Sequence, residues 1–93
     1  MNNEWKVKHT KTFYQELARL PKRIRTRIEK IAFGDEISKD PFLGGRIKKL
    51  QGYDNFYKCR VGNYRVGLFI NQNERVIEFR RAVHRREIYR RFP

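Results

Sequence analysis

The alternation of apolar and polar positions changes period along the chain, and the changes mark its elements. Trp5-Lys6-Val7-Lys8 alternates strictly and predicts a short strand. Thr12, with Gln15 three residues on, has the spacing of a capping box and places a helix start near Phe13. Phe13, Leu17, Leu20, Ile24, Ile28 and Ile31 then recur at steps of three and four, an amphipathic helical stripe. Pro21 interrupts it. Proline disfavours helix at Leu20 and suits the first turn of a new helix, so two helices folded as a hairpin are expected. Their polar faces carry Arg19, Lys22, Arg23, Arg25 and Arg27. The stretch 34–45 reads as a loop, with Gly34-Asp35-Glu36, Asp40-Pro41 and Gly44-Gly45. From Ile47 the period falls to two. Ile47-Lys48-Lys49-Leu50 is a weak strand, and 57–61, 64–70 and 75–83 are stronger ones. Arg85 to Phe92 has room for one or two helical turns. The order β-α-α-β-β-β with a short C-terminal helix predicts an α+β fold, an antiparallel sheet meander packed against an N-terminal helical hairpin.

Strand register follows from the turns. Gly62-Asn63 has the composition of a two-residue hairpin loop. Val61 then opposes Tyr64, Cys59 opposes Val66 and Tyr57 opposes Leu68, all on one apolar face. On the other face Arg60 opposes Arg65 and Lys58 opposes Gly67. A turn at 71–74 would set Leu68 against Ile77, Val66 against Phe79, Arg65 against Arg80 and Gly67 against Glu78. One face is then core, and the other carries a row of Arg60, Arg65 and Arg80 with Lys58 alongside. Like charges directly opposed across strands destabilise a sheet, and a phosphate bound between them would remove the repulsion. Gly67 leaves a depression beside the row, which suits a ligand or marks a bend.

Composition sharpens this. The 93 residues carry 23 Lys+Arg against 10 Asp+Glu, a formal net charge of +13. Fourteen of the cations are arginine, whose rigid guanidinium fork matches phosphate. Such an excess attracts polyanions through counterion release, so nucleic acid is the leading partner. An aromatic content of 14% is too high for a disordered basic tail. No apolar run approaches the roughly 18 residues of a membrane span, and Met1-Asn2-Asn3-Glu4 does not open a signal peptide. Cys59, the single cysteine, forms no internal disulfide, which fits a reducing cytoplasm. Its parity faces the core, so a catalytic thiol is not expected.

Metal chemistry finds little support: His9 and His84 are far apart in sequence, and no paired carboxylates have metal-ligand spacing. No cofactor motif is present. RNA offers metal-free chemistry, since its 2′-OH can attack the adjacent phosphate. That needs a group to deprotonate the 2′-OH, cations for the charge growing on phosphorus and help for the leaving 5′ oxygen. The tail Val83-His84-Arg85-Arg86-Glu87-Ile88-Tyr89 supplies an imidazole, cations and a phenol.

Taken together, four segments resemble the RelE/ParE superfamily of type II toxins: Arg19-Leu20-Pro21-Lys22, Lys49-Leu50-Gln51-Gly52, the run from Tyr57 to Val66, and His84-Arg85-Arg86-Glu87-Ile88-Tyr89. The resemblance covers nearly the whole chain in order and implies one toxin domain over 1–93. It also implies a ribosome-dependent mRNA endoribonuclease of the RelE-like branch, a metal-independent mRNA interferase that inhibits translation. The alternatives are a ParE-like gyrase inhibitor and a non-catalytic nucleic-acid-binding module. By resemblance Lys58, Arg60 and Arg65 take the catalytic strand positions, and Arg85 and Tyr89 the later ones, with His84 a further candidate. His84 stands where the best-studied relatives have lysine. Arg60 replaces a lysine thought to help deprotonate the 2′-OH, and arginine is a poor base. Base duty therefore falls to Lys58, Tyr89 or His84. Arg80, Lys48, Lys49, Arg23, Arg27 and Arg86 are the candidate RNA and ribosome contacts. The expected partners are a cognate antitoxin, the ribosome and mRNA, in the cytoplasm, with no metal, cofactor or membrane.

Overall fold

The structure is a computed structural model describing residues 4–93; Met1-Asn2-Asn3, read above as no leader, lie outside it. The element order is β1 (Lys6–His9), α1 (Lys11–Ala18), α2 (Lys22–Ala32), α3 (Glu36–Lys39), a single 3-10 turn (Leu43–Gly45), β2 (Ile47–Lys49), β3 (Phe56–Val61), β4 (Tyr64–Asn71), β5 (Val76–His84) and α4 (Arg85–Arg91). This is the expected α+β architecture. The proline break falls where the sequence puts it: α1 closes at Ala18, and Pro21 is the N-cap of α2. The 34–45 stretch is more ordered than a plain loop, because Ile37 turns inward on α3 and is 1% exposed.

The five strands form one sheet in the order β1-β5-β4-β3-β2. β2 to β5 are the antiparallel meander, whereas β1 joins the far edge parallel to β5. The predicted antiparallel meander is thus present, and the parallel pairing of β1 with β5 is added at its edge. The helical hairpin carries the chain from β1 at one edge to β2 at the other. Phe13 and Leu17 of α1 and Ile28 and Ala32 of α2 bury against Cys59, Val66, Leu68, Ile77 and Phe79 of the sheet.

The cap of α1 is also displaced from its predicted place. Thr10, not Thr12, is the N-cap, and its Oγ1 accepts from Phe13 N at 3.1 Å. β1 runs through His9, so Thr10 is the residue at which the chain leaves the sheet. Its N–H donates to Phe79 O at 3.0 Å and its hydroxyl to Arg80 O at 3.2 Å, which anchors α1 on β5.

The two predicted registers fare differently. Across β3 and β4 every predicted pair is present, including Arg60 with Arg65, Lys58 with Gly67 and Cys59 with Val66. Across β4 and β5 the loop spans 72–75, so Leu68 meets Phe79 rather than Ile77. Between Gly67 and Leu68 the register shifts again, leaving Arg80 as the extra residue of a bulge. Gly67 then pairs with Arg81, Val66 with Ala82 and Arg65 with Val83. Arg80 is thus removed from the predicted row. The shift by two preserves side-chain parity, so the apolar pattern could not reveal it.

The bulge inverts parity beyond it and turns Val83 to the face that carries Arg65. There Val83 joins Leu50, Ile88 and Phe92 in a second buried cluster beneath α4. The face read as cationic is therefore divided: charged toward the β3–β4 hairpin, apolar under the C-terminal helix.

Candidate cationic cleft

Four strand positions, the residue before β2 and one helix build the site. Lys58 and Arg60 on β3, Arg65 on β4 and Lys48 on β2 share a face by alternation and register, since Lys48 pairs with Lys58 and Arg60 with Arg65. Extending the β2–β3 register by one rung sets Arg46 against Arg60. α4 follows β5 without a linker and crosses this face, bringing Arg85, Arg86 and Tyr89 to it. Its start is tied to the hairpin, where Arg85 N donates to Asn63 O at 2.8 Å. The result is a cleft of about 520 Å³ lined by Arg46, Lys48, Lys58, Arg60, Arg65, Arg85, Arg86 and Tyr89.

The lining contains no carboxylate. A concave wall of one charge sign over a low-dielectric sheet focuses its field outward and concentrates anions. Arg65 is pre-set: its Nη1 donates to Gly62 O at 3.0 Å and to Tyr64 O at 2.9 Å. Lys58 Nζ donates to the Tyr89 hydroxyl and lies 4.6 Å from the centre of that ring. The field also reaches the core side of the sheet. Burial pushes the Cys59 thiol above its ordinary value, and the charges of Arg46 and Arg65 oppose that push. Cys59 is fully buried and plays no part in the cleft.

Of the predicted site residues, the cleft gathers Lys58, Arg60, Arg65, Arg85, Tyr89, Lys48 and Arg86. His84 lies outside the lining. It is the N-cap of α4, its Nδ1 accepts from Arg86 N at 3.2 Å, and its ring meets Tyr64 edge-on at 5.3 Å. Arg80 pairs with Glu78 and lies over Phe69, 4.7 Å from its centroid. Lys49 pairs with Asp54 at 3.2 Å. Arg23 is exposed on α2, and Arg27 lines a neighbouring groove of about 890 Å³ that meets the cleft at Arg46 and contains Asp35, Glu36 and Asp40. Arg46 is the residue the sequence reading missed. Its signal was the two-residue spacing from Lys48, which becomes informative only once β2 is registered on β3. The depression at Gly67 holds no ligand space, because the Phe92 ring fills it.

The family described as the ParE toxin of type II toxin-antitoxin system, parDE, matches residues 7–89. Toxin RelE3 of Methanocaldococcus jannaschii is 43% identical over 91 residues, covering 95% of this chain and 99% of that protein. Toxin RelG of Mycobacterium tuberculosis is 33% identical over 85 residues, covering 91% and 95%. Among solved structures, the RelB-RelE antitoxin-toxin complex from Methanococcus jannaschii matches with a TM-score of 0.74 at 40% identity, covering 94% of this chain and 100% of the matched one.

Proposed function

Because the chain belongs to the RelE/ParE family of type II toxins, we propose that it is a ribosome-dependent mRNA endoribonuclease cleaving by attack of a 2′-OH on the adjacent phosphate. The observation that carries this reading is the cleft itself: seven cations converge with one tyrosine, and no acid lies among them.

The chemistry assigns roles by position. The Lys58–Tyr89 pair, after releasing one proton to solvent, orients the 2′-OH and accepts its proton. The 2′ oxygen then bonds to phosphorus, and Arg60 and Arg65 stabilise the extra negative charge that develops there. The bond from phosphorus to the 5′ oxygen breaks, and that oxygen, held beside the Arg85 guanidinium, takes its proton from solvent water, while the Lys58–Tyr89 pair returns the 2′ proton to solvent. The products are a 2′,3′-cyclic phosphate and a free 5′-OH. The lining has neither carboxylate nor imidazole to hold a divalent ion, which favours a metal-free route. Arg46, Lys48 and Arg86 grip flanking phosphates. Arg23, Arg27 and Lys49 belong to the wider basic surface that meets ribosomal RNA, and Arg80 is dropped from that set. A cognate antitoxin, the partner in the matched RelB-RelE complex, would supply acidic and apolar groups to this cytoplasmic toxin.

A ParE-like gyrase inhibitor is the second reading, favoured by the family description alone. Primer extension on messages after induction separates the two. Translation-dependent cuts with 5′-OH ends support cleavage; DNA-damage signalling with intact messages overturns it. Cleavage in a pre-assembled, trapped toxin–ribosome–message complex that persists in chelator supports the metal-free route, and its abolition by chelator with the ribosome intact refutes that route.

A further inference from the structure

Gly67 pairs with Lys58 on one side and Arg81 on the other, at the rung where the bulge begins. A Cβ at Gly67 would stand 3.0 Å from Cγ and Cδ1 of Phe92 and 3.1 Å from Cδ2. Three atoms of one ring at nearly equal distance mean that the ring lies flat on the strand, a seat that only glycine leaves open. Phe92 is 5% exposed, packs with Leu50, Val83 and Ile88, and meets Phe56 edge-on at 5.4 Å. The chain end is tied beside it: Arg81 Nη1 donates to Arg91 O at 2.6 Å. Arg81 is itself fixed by the Glu16 carboxylate of α1, which raises the guanidinium's affinity for its proton further. Tyr89 has no such packing. It is 69% exposed, and its hydroxyl meets Lys58 only because α4 is held where it is.

We infer that Phe92, seated on Gly67, is a positioning residue that holds α4 so that Tyr89 meets Lys58 in the cleft. The inference rests on the cleft being the cleavage site, and it adds the structural device on which that site depends. A glycine, a bulge and a C-terminal aromatic act together, and none of them lines the cleft. The Glu16–Arg81–Arg91 chain of contacts extends the device to α1.

The test is single-turnover cleavage of mRNA on programmed ribosomes with the full chain. Phe92→Ala is expected to lower the rate between about tenfold and a hundredfold. The half-saturating concentration should change less than about threefold, because every cation remains. Phe92→Leu recovers most of the rate. In a Tyr89→Ala background, Phe92→Ala costs less than about a further twofold, as required of a residue that acts through Tyr89. Full multiplication of the two losses, or an unimpaired Phe92→Ala, overturns the inference. Should Phe92→Ala lose its fold by circular dichroism, Gly67→Ala provides the graded version in a folded chain, with a severalfold loss expected and no change refuting the idea. A second readout needs no activity. The nuclear Overhauser contact between the Lys58 side chain and the Tyr89 ring should be lost in Phe92→Ala and kept in Phe92→Leu, and its survival in Phe92→Ala refutes the inference. If that contact behaves as expected while Tyr89→Ala cleaves at the wild-type rate, the reading of the cleft fails and the clasp stands as a structural device only.

Discussion

In the cleft, Arg60, Arg65, Arg85 and Arg86 line a cavity that no carboxylate enters. On β5 and at the chain end, Arg80, Arg81 and Arg91 each face an acid: Glu78, Glu16 and Glu87. The residue type is the same and the chemistry is opposite. In the first group the charges repel one another, and Arg65 is held in place by two backbone carbonyls. In the second they are neutralised locally and serve as struts. The Glu16–Arg81 pair shows why a strut is worth building. Glu16 Oε1 also accepts from Ala82 N at 3.0 Å, so one carboxylate from α1 satisfies both the guanidinium and a backbone N–H just past the bulge. The difference teaches that net charge says little about function until it is divided by partner. Arginines whose partners are present in the fold are spent, and those without are available to a ligand.

Four substitutions break or sharpen that division. The largest effect is expected at Arg65. Arg65→Ala should lower cleavage by about 10²–10³-fold, as for loss of one preorganised donor to a developing anion. Its stability should move by less than about 0.5 kcal/mol in urea unfolding, because the side chain is not part of the core. An intact cleavage rate would remove Arg65 from the catalytic group. Glu16→Ala leaves Ala82 N and the Arg81 Nε and Nη2 donors without their carboxylate at a mostly buried site, while Arg81 keeps its bond to Arg91 O. It should cost about 2 kcal/mol, read as a fall in Tm of about 10 °C for a domain of this size. A Tm equal to wild type would mean that the strut carries no load. Thr10→Ala removes the cap that fixes α1, and with it Glu16, on β5. A loss of about 1 kcal/mol is expected, against less than about 0.5 kcal/mol for Thr12→Ala; the reverse order would restore the capping box at Thr12. The smallest effect is expected at Arg80, where Arg80→Ala should change cleavage by less than about threefold, since its guanidinium is engaged by Glu78 and Phe69. A loss approaching that of Arg65→Ala would return Arg80 to the site.

Part of the cleft was legible because hairpin geometry is local. Gly62, at φ 58°, occupies the left-handed region the turn needs. Once that turn is fixed, alternation alone places Lys58, Arg60 and Arg65 together. The β4–β5 register was not legible. The predicted and observed pairings up to Phe79 have the same parity, so Leu68, Ile70, Ile77 and Phe79 are core in both. Arg80 was misplaced because a bulge carries no signature in the apolar pattern when the residue it inserts is charged and the next inward residue is Ala82. His84 looked like chemistry because it adjoins Arg85 and Tyr89, yet its place at the strand-to-helix junction makes it a cap.

The sequence by itself determined the order of the strands and of the longer helices, the helix break at Pro21, the core side of β3 and β4 and of β5 up to Phe79, and the β3–β4 register. All of these follow from steric and hydrophobic rules acting over a few residues. The likeness in sequence also placed the chain among type II toxins. Only the tertiary structure decided that β1 docks parallel to β5, that Thr10 caps α1, that Arg46 joins the cleft and Arg80 leaves it, and that Phe92 fills the space over Gly67. Each of those depends on side chains far apart in the chain competing for one surface, as Glu16 does for Arg81 and Phe92 does for Gly67. A pattern read along the chain does not contain the outcome of that competition.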